Sequence, residues 1–250
     1  MNETSEVREF YDRFSDRVLV RDFYYLNRRH EAVKELCRRF VAQGSRVLEI
    51  GCGVGIITKA LSKIASDIVA VDISPRNIDI AKEFNSGSVI RFEVDDVTDD
   101  QTMLGDFGSF DAIVMADVIE HIPMSSYKDL FQRFESVLSN HGMVVLTFPS
   151  PEIQEYMRST QPGDVQVIDE AIELSDLLGV TSLKPLYFSY QSILGKNDYV
   201  HFVLSVTRPF AHAGREITGL RWVQNRIRKY RWRLSNLGFL RRLRRKKITS

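Results

Sequence analysis

"VLEIGCGVGIITKAL", Val47 to Leu61, runs an apolar stretch into three glycines at every second position and then resumes with apolar spacing. The segment "RVLEI" (46–50) reads as a short buried strand, and Gly51, Gly53 and Gly55 follow it at once. Ile57, Ala60, Leu61 and Ile64 then return at helical spacing. A loop after the first strand of an α/β sheet lies at the carboxyl edge, where such sheets bind ligands. Glycine adopts positive φ and lacks the Cβ that would hold a ligand off the backbone. The alternative is a tight strand-to-helix turn that is merely rich in glycine. A dinucleotide loop needs its third glycine at position 56, where isoleucine stands, and no G-x-x-x-x-G-K-[ST] loop is present.

The pattern repeats outward from this stretch. Upstream, Val33, Leu36, Cys37, Phe40 and Val41 form a helical stripe that Gly44 can stop. Downstream, "DIVAVD" (67–72), "SVIRFEV" (88–94), "FDAIVMAD" (110–117) and "GMVVLTF" (142–148) read as strands. Between them, Ser74 can cap a helix with Pro75 in its first turn. Ser126 with Asp129 looks like a capping box for a helix whose face is Tyr127, Leu130, Phe131, Phe134, Val137 and Leu138. Continuous apolar strands alternating with amphipathic helices predict a parallel sheet covered on both faces. After Pro149, residues 150–166 are polar and irregular, 167–179 read as a helix, and 181–190 with 199–207 read as a closing antiparallel pair.

The 250 residues suffice for one full core. No run approaches the roughly 20 apolar residues that cross a bilayer, and the charged N-terminus lacks a signal-peptide pattern. Cys37 and Cys52 form neither a disulfide framework nor metal-site spacing, so a reducing, cytoplasmic setting is expected. A net charge of +1 conceals an asymmetry: from Thr207 onward stand 14 Lys and Arg against the single acid Glu216. The body is acidic and the tail basic.

Acids surround the glycine loop. Glu49 precedes it by two residues, and Asp72 ends the second strand 21 positions after Gly51, the spacing at which an acid accepts ribose hydroxyls. Asp95 and Asp96 end the third strand, where a carboxylate meets an exocyclic amino group. Four acids repel phosphate and suit a cationic, phosphate-free nucleoside, which points to S-adenosylmethionine.

"VLEIGCGVG", "VAVDIS", "FEVDDV" and "FDAIVMADVIEHI" resemble the successive motifs of class I S-adenosylmethionine-dependent methyltransferases over roughly residues 45–150. The resemblance implies a Rossmann-like, doubly wound α/β fold with a seven-stranded sheet whose last strand is antiparallel. N-terminal helices and a basic C-terminal helix flank it. It places Gly51, Cys52, Gly53 and Gly55 at the methionine part of the cofactor, with Glu49 near the amino group. It places Asp72 on the ribose, Asp96 or its neighbour Asp95 with the Val97 backbone at the adenine edge, and Asp117 beside the sulfonium; Ile73, after Asp72, is read as packing against adenine, the alternative being that it only closes the strand. Cys52 is read as a small packed residue rather than a nucleophile. S-adenosylhomocysteine is the implied product.

Methyl transfer from a sulfonium is an in-line displacement for which alignment supplies much of the catalysis. A hydroxyl acceptor also benefits from a base, and "DVIEHIP" (117–123) offers Glu120 and His121, with His121 preferred because imidazole titrates near neutrality. The alternative is that His121 only braces its loop. "DVIEHI" is similar to the E-x-x-E-H stretch of ubiquinone-pathway O-methyltransferases, where these side chains have been linked to a divalent ion. Asp117 replaces the first glutamate, so a metal is allowed but no ligands are assigned.

Residues 1–43 are read as an N-terminal helical cap, 44–207 as the cofactor-binding domain with an acceptor-side insertion at 150–180, and 208–250 as a basic tail. The aromatic stretches 10–16 and 23–25 are candidate covers for the site, with Tyr11 as a lid residue, the alternative being that they pack on the sheet. In residues 216–247, Leu220, Val223, Ile227, Tyr230, Leu234 and Leu237 form an apolar stripe among arginines, flanked by Trp222 and Trp232. That combination fits an anionic membrane surface, which predicts a peripheral position at the inner membrane. RNA is the less favoured partner because it needs no continuous apolar face. The remaining alternative is a helix packed on protein. The expected function is O-methylation of a small-molecule or lipid-linked acceptor, with an RNA methyltransferase or a non-catalytic cofactor-binding scaffold as alternatives.

Overall fold

A computed structural model describes residues 28–85, 87–160, 169–193 and 198–207. Helix α1 (Arg28–Phe40) precedes β1 (Arg46–Ile50), α2 (Ile56–Leu61), β2 (Asp67–Asp72), α3 (Pro75–Phe84) and β3 (Ile90–Val94). A 3-10 turn, Met103–Phe107, leads into β4 (Phe110–Ala116), and two more, Ile119–His121 and Met124–Ser126, lead into α4 (Tyr127–Val137). Then come β5 (Leu138–Pro149), α5 (Pro151–Thr160), α6 (Leu174–Leu178), β6 (Lys184–Gln191) and β7 (Tyr199–Ser205).

The strands form one seven-stranded sheet in the order β3-β2-β1-β4-β5-β7-β6. β1 to β5 pair in parallel, and β7 runs antiparallel to both β5 and β6. Alternation along each strand feeds two cores. Leu48, Met115, Phe131, Phe134 and Phe202 share one cluster, while Val33, Val47, Val114, Val145 and Val203 share the other. The strand order reverses between β1 and β4, so the loops after these strands part at the carboxyl edge and leave a crevice.

Local signals account for several boundaries. Ser74 accepts a hydrogen bond from Asn77 N and Pro75 opens α3, a cap worth ~1 kcal/mol. Pro185 lies in β6, an edge strand, where its missing donor interrupts the register with β7 before Tyr187.

Three expectations are corrected. Ser126 makes no side-chain cap, because the preceding 3-10 turn runs straight into α4 and Ser126 N already donates to Pro123 O. Residues 150–166 are not irregular throughout, since Pro151–Thr160 is helical. The helix expected over 167–179 contracts, within the described residues, to Leu174–Leu178. Tertiary bonds hold the segment before it: Glu170 N donates to Glu120 O at 2.7 Å, Gln154 Nε2 donates to Asp169 Oδ1 at 2.8 Å, and Arg158 donates to Asp169 O. Tyr11, residues 10–16 and 23–25, and the tail from 208 to 250 lie outside the described residues.

Candidate functional site

The glycine loop is held by β2. Gly51 N and Cys52 N both donate to Val71 O, at 2.8 and 3.0 Å. Gly53 N donates to Asp72 Oδ2 at 2.8 Å, while Asp72 Oδ1 accepts from Ser74 N at 2.9 Å and Asn77 Nδ2 at 3.1 Å. The two carboxylate oxygens therefore join the loop to the start of α3. The glycines divide into two kinds. A β-carbon at Gly51 would collide with Val118 Cγ2, so this position is glycine for packing against the loop after β4. A β-carbon at Gly53 would meet nothing within 4 Å, and its φ is +52°. Gly53 is thus the loop position that presents bare backbone to open space.

The remaining residues at this edge differ in what they can offer. Glu49 is buried beneath the loop, and burial raises its carboxyl from the ordinary 4.5 to about 8, with nearby Thr58 opposing the shift. Cys52 is buried, and desolvation pushes its thiol well above the ordinary range, so it is a packed side chain. Ile73 is half-buried directly after Asp72. Asp95 accepts from Thr102 Oγ1 at 2.8 Å and from Met103 N, which commits it to the start of the Met103–Phe107 turn. Asp96 bonds locally through Oδ1, to Thr98 N at 3.0 Å and Thr98 Oγ1 at 2.6 Å. Val97 is buried beside them.

Across the crevice, Asp117 leaves β4 with φ +58°. Left-handed backbone is uncommon for a side-chain-bearing residue, though least so for Asp and Asn. Its N–H donates to Thr147 O at 2.9 Å, and its Oδ2 pairs with Arg29 Nε at 2.8 Å. Arg29 also donates through Nη1 to the Tyr199 hydroxyl at 2.9 Å. Asp117 Oδ1 is buried and has no hydrogen-bond partner. Glu120, 1% exposed, lies in the same group. Burial holds its carboxyl well above the ordinary range, the Asp117 charge adds to the shift and Arg29 opposes it. His121 Nε2 stands 3.8 Å from Glu120 Oε1, with its side chain 13% exposed.

The fold brings Gly51, Gly53, Glu49, Asp72 and Asp117 to the carboxyl edge around the β1–β4 crevice, with Glu120 and His121 on the turn after β4. Arg29 and Tyr199 carry no recognisable sequence signal and join the site only through the fold. Among the described residues, no group of three or more His, Cys, Asp or Glu is arranged to hold a metal ion.

Open backbone at Gly53, a clasping carboxylate at Asp72 and the absence of a phosphate-binding loop fit a phosphate-free nucleoside cofactor. The fold and site are those of an S-adenosylmethionine-dependent methyltransferase domain. The chain belongs to the methyltransferase-domain family, whose model matches residues 25–183. It is 30% identical over 87 residues to a ubiquinone biosynthesis O-methyltransferase of Xanthomonas axonopodis pv. citri (strain 306), covering 34% of this chain and 36% of that protein. The match thus spans about a third of that relative's length. Among solved structures, the N-methyltransferase NodS from Bradyrhizobium japonicum WM9 in complex with S-adenosyl-L-homocysteine superposes with a TM-score of 0.56 at 21% identity, covering 72% of this chain and 86% of that one. A SAM-dependent methyltransferase from Anabaena variabilis ATCC 29413 gives 0.65 at 16% identity, covering 82% and 95%. At these identities the likeness to the solved structures concerns the fold.

Proposed function

We propose that the protein transfers the methyl group of S-adenosylmethionine to a hydroxyl of a small-molecule or lipid-linked acceptor, with His121 as the base. The observation that carries this reading is the placement of His121 on the turn directly after β4, four positions beyond Asp117 and beside the buried Glu120. When bound, the cofactor supplies a methyl carbon already activated by a sulfonium. What the protein must add is alignment and a place for the acceptor's proton. Glu120 is buried, and burial favours its neutral form, so it is less suited to take that proton and better suited to orient its neighbour. His121 is left as the acceptor of the proton. The distant match to an O-methyltransferase supports the choice of oxygen over other acceptor atoms.

The body's acidic excess and the tail's basic, tryptophan-flanked stripe favour an acceptor met at an anionic membrane surface. The test is transfer of labelled methyl from S-adenosylmethionine into the lipid, soluble and RNA fractions of a cell extract. Label in lipid or in small molecules, retained as a base-stable ether, supports the reading. Label confined to RNA replaces it with the nucleic-acid alternative.

A further inference from the structure

We propose that Thr147 and His201 bind the methyl acceptor, taking an uncharged hydroxyl or carbonyl oxygen of it at the carboxyl edge of the sheet, between β5 and β7. This rests on the reading that the acceptor is a small or lipid-linked molecule methylated at a hydroxyl. The two residues are direct partners across the antiparallel β5–β7 ladder, a relation that sets β-carbons about 5 Å apart. Both side chains lie on the α1 face of the sheet. Val145 and Val203, two positions away on their strands, share a core cluster with Val33 and Leu36 of α1, whereas the intervening Leu146 and Phe202 belong to the opposite face. Thr147 stands one strand beyond the β1–β4 crevice and His201 two. Thr147 O accepts the Asp117 N–H at 2.9 Å, so the pair adjoins the crevice directly.

Thr147 is 1% exposed and His201 4%, and Thr147 Oγ1 and His201 Nε2 each lack a hydrogen-bond partner. Native structures seldom leave buried polar atoms so. The polar neighbours are committed elsewhere. Ser189, opposite His201 on β6, accepts from Tyr187 Oη at 2.9 Å and from Gln191 Nε2 at 2.8 Å. The Tyr199 hydroxyl accepts from Arg29 Nη1 at 2.9 Å. The next pair down the same face, Val145 with Val203, is apolar, so the change to polar side chains comes at the edge where such sheets bind ligands. Valine at 147 would fill the same space without a hydroxyl, so packing alone does not require threonine there. Desolvation lowers His201 from 6.5 to about 4, which keeps its ring neutral. A hydroxyl and a neutral imidazole offer no charge to a carboxylate, a phosphate or an ammonium. They suit an uncharged oxygen: a carbonyl accepts from either, and a hydroxyl accepts from one and donates to the other.

The test uses the full-length protein and the extract fraction, lipid or small-molecule, into which the wild type transfers labelled methyl. Initial rates are read over a dilution series of that fraction, with S-adenosylhomocysteine affinity from calorimetry and stability from urea unfolding. Thr147→Val and His201→Leu are expected to raise the half-saturating amount of the fraction roughly 3- to 10-fold, the loss of one hydrogen bond. Maximal rate and S-adenosylhomocysteine affinity should stay within about threefold, and Thr147→Ser should restore most of the wild-type half-saturation. Thr147→Val should also unfold at the same or a higher urea concentration, because it removes a hydroxyl that the protein itself leaves unpaired. Unchanged half-saturation in both variants overturns the proposal. So does a matching loss of S-adenosylhomocysteine affinity, which would put the pair on the cofactor's side. If His201→Leu does not fold, Thr147→Val, equal in shape to the native residue, decides alone. Wild-type protein that labels only RNA, or nothing, refutes the hydroxyl-acceptor reading and the proposal with it. Wild-type label in lipid or small molecules, with both variants unaltered, refutes the proposal alone.

Discussion

Gly53 N donates to Asp72 Oδ2 at 2.8 Å, so the loop position with open space before it is fixed by the carboxylate that ends the next strand. One acid thereby sets the loop's shape, and it is the acid that the sequence pattern assigns to a ribose. The relationship gives separate expectations for Asp72→Ala and Asp72→Asn. Alanine removes the acceptor for Gly53 N and for a ribose, and should weaken S-adenosylhomocysteine by ~1.5–3 kcal/mol. Asparagine retains one oxygen and should lose less. Calorimetry on both variants, with a thermal melt to confirm folding, checks the order.

Gly51 and Gly53 should separate in their effects. Gly51→Ala drives a methyl into Val118, so it should destabilise the fold by ~1–3 kcal/mol, and Val118→Ala should restore part of the loss. Gly53→Ala meets no protein atom and should cost about 1 kcal/mol of backbone strain while reducing cofactor affinity more clearly. Urea unfolding paired with calorimetry distinguishes the two. Equal affinity losses, with stability untouched in both, would contradict the division.

Glu49 gives a pH dependence whose sign is fixed. Its folded carboxyl holds a proton up to about 8, whereas the ordinary value is 4.5, so the folded state binds more protons between these limits. Its contribution to stability is complete below 4.5 and is lost as pH rises through 8. Glu49→Gln removes the titration. Relative to wild type, the variant should therefore gain stability between about pH 5 and about pH 8.5, read from urea unfolding at the two values. A difference that stays constant across the window would show that Glu49 does not carry the shift.

His121→Ala should lower turnover roughly 10²-fold while S-adenosylhomocysteine affinity stays near wild type. A loss that shrinks at high pH, where the acceptor ionises unaided, would identify a base. A loss independent of pH would leave a bracing role on the turn after β4.

The tail is predicted to bind anionic vesicles, through its charge and then its stripe. Binding should fall with added salt as the screening length shortens to ~8 Å at physiological ionic strength. Replacing Trp222, Ile227 and Trp232 with serine should weaken it without altering charge. Truncation after Arg208 should leave cofactor affinity intact, because the glycine loop, Asp72, Asp96 and Asp117 all precede it. Full-length protein that ignores anionic vesicles at low salt rules the membrane role out.

Much of the fold was legible because its signals are local. The 46–50 strand, the alternating glycines and the helical stripe after them lie within 20 residues, and each strand–helix unit repeats that logic. Ser74 and Pro75 mark the start of α3 by chemistry that acts over one turn. The order of acids, Glu49, Asp72, Asp95 and Asp96, Asp117, followed from strand ends that a parallel sheet must gather at one edge. Local pattern failed in two ways. Ser126 reads as a cap, but a competing local 3-10 turn ties its N–H to Pro123 O. The 167–179 stripe reads as one helix, but the distant Glu120 O holds Glu170 out of it. The sequence alone determined the strand–helix alternation and the neighbourhood of the cofactor site. The tertiary structure alone decided that Arg29 meets Asp117 and Tyr199, the latter 170 residues away, and that burial raises the carboxyls of Glu49 and Glu120. The reason is physical: periodicity and capping act along the chain, whereas ion pairing and desolvation depend on which groups the closed fold brings together and shields from water.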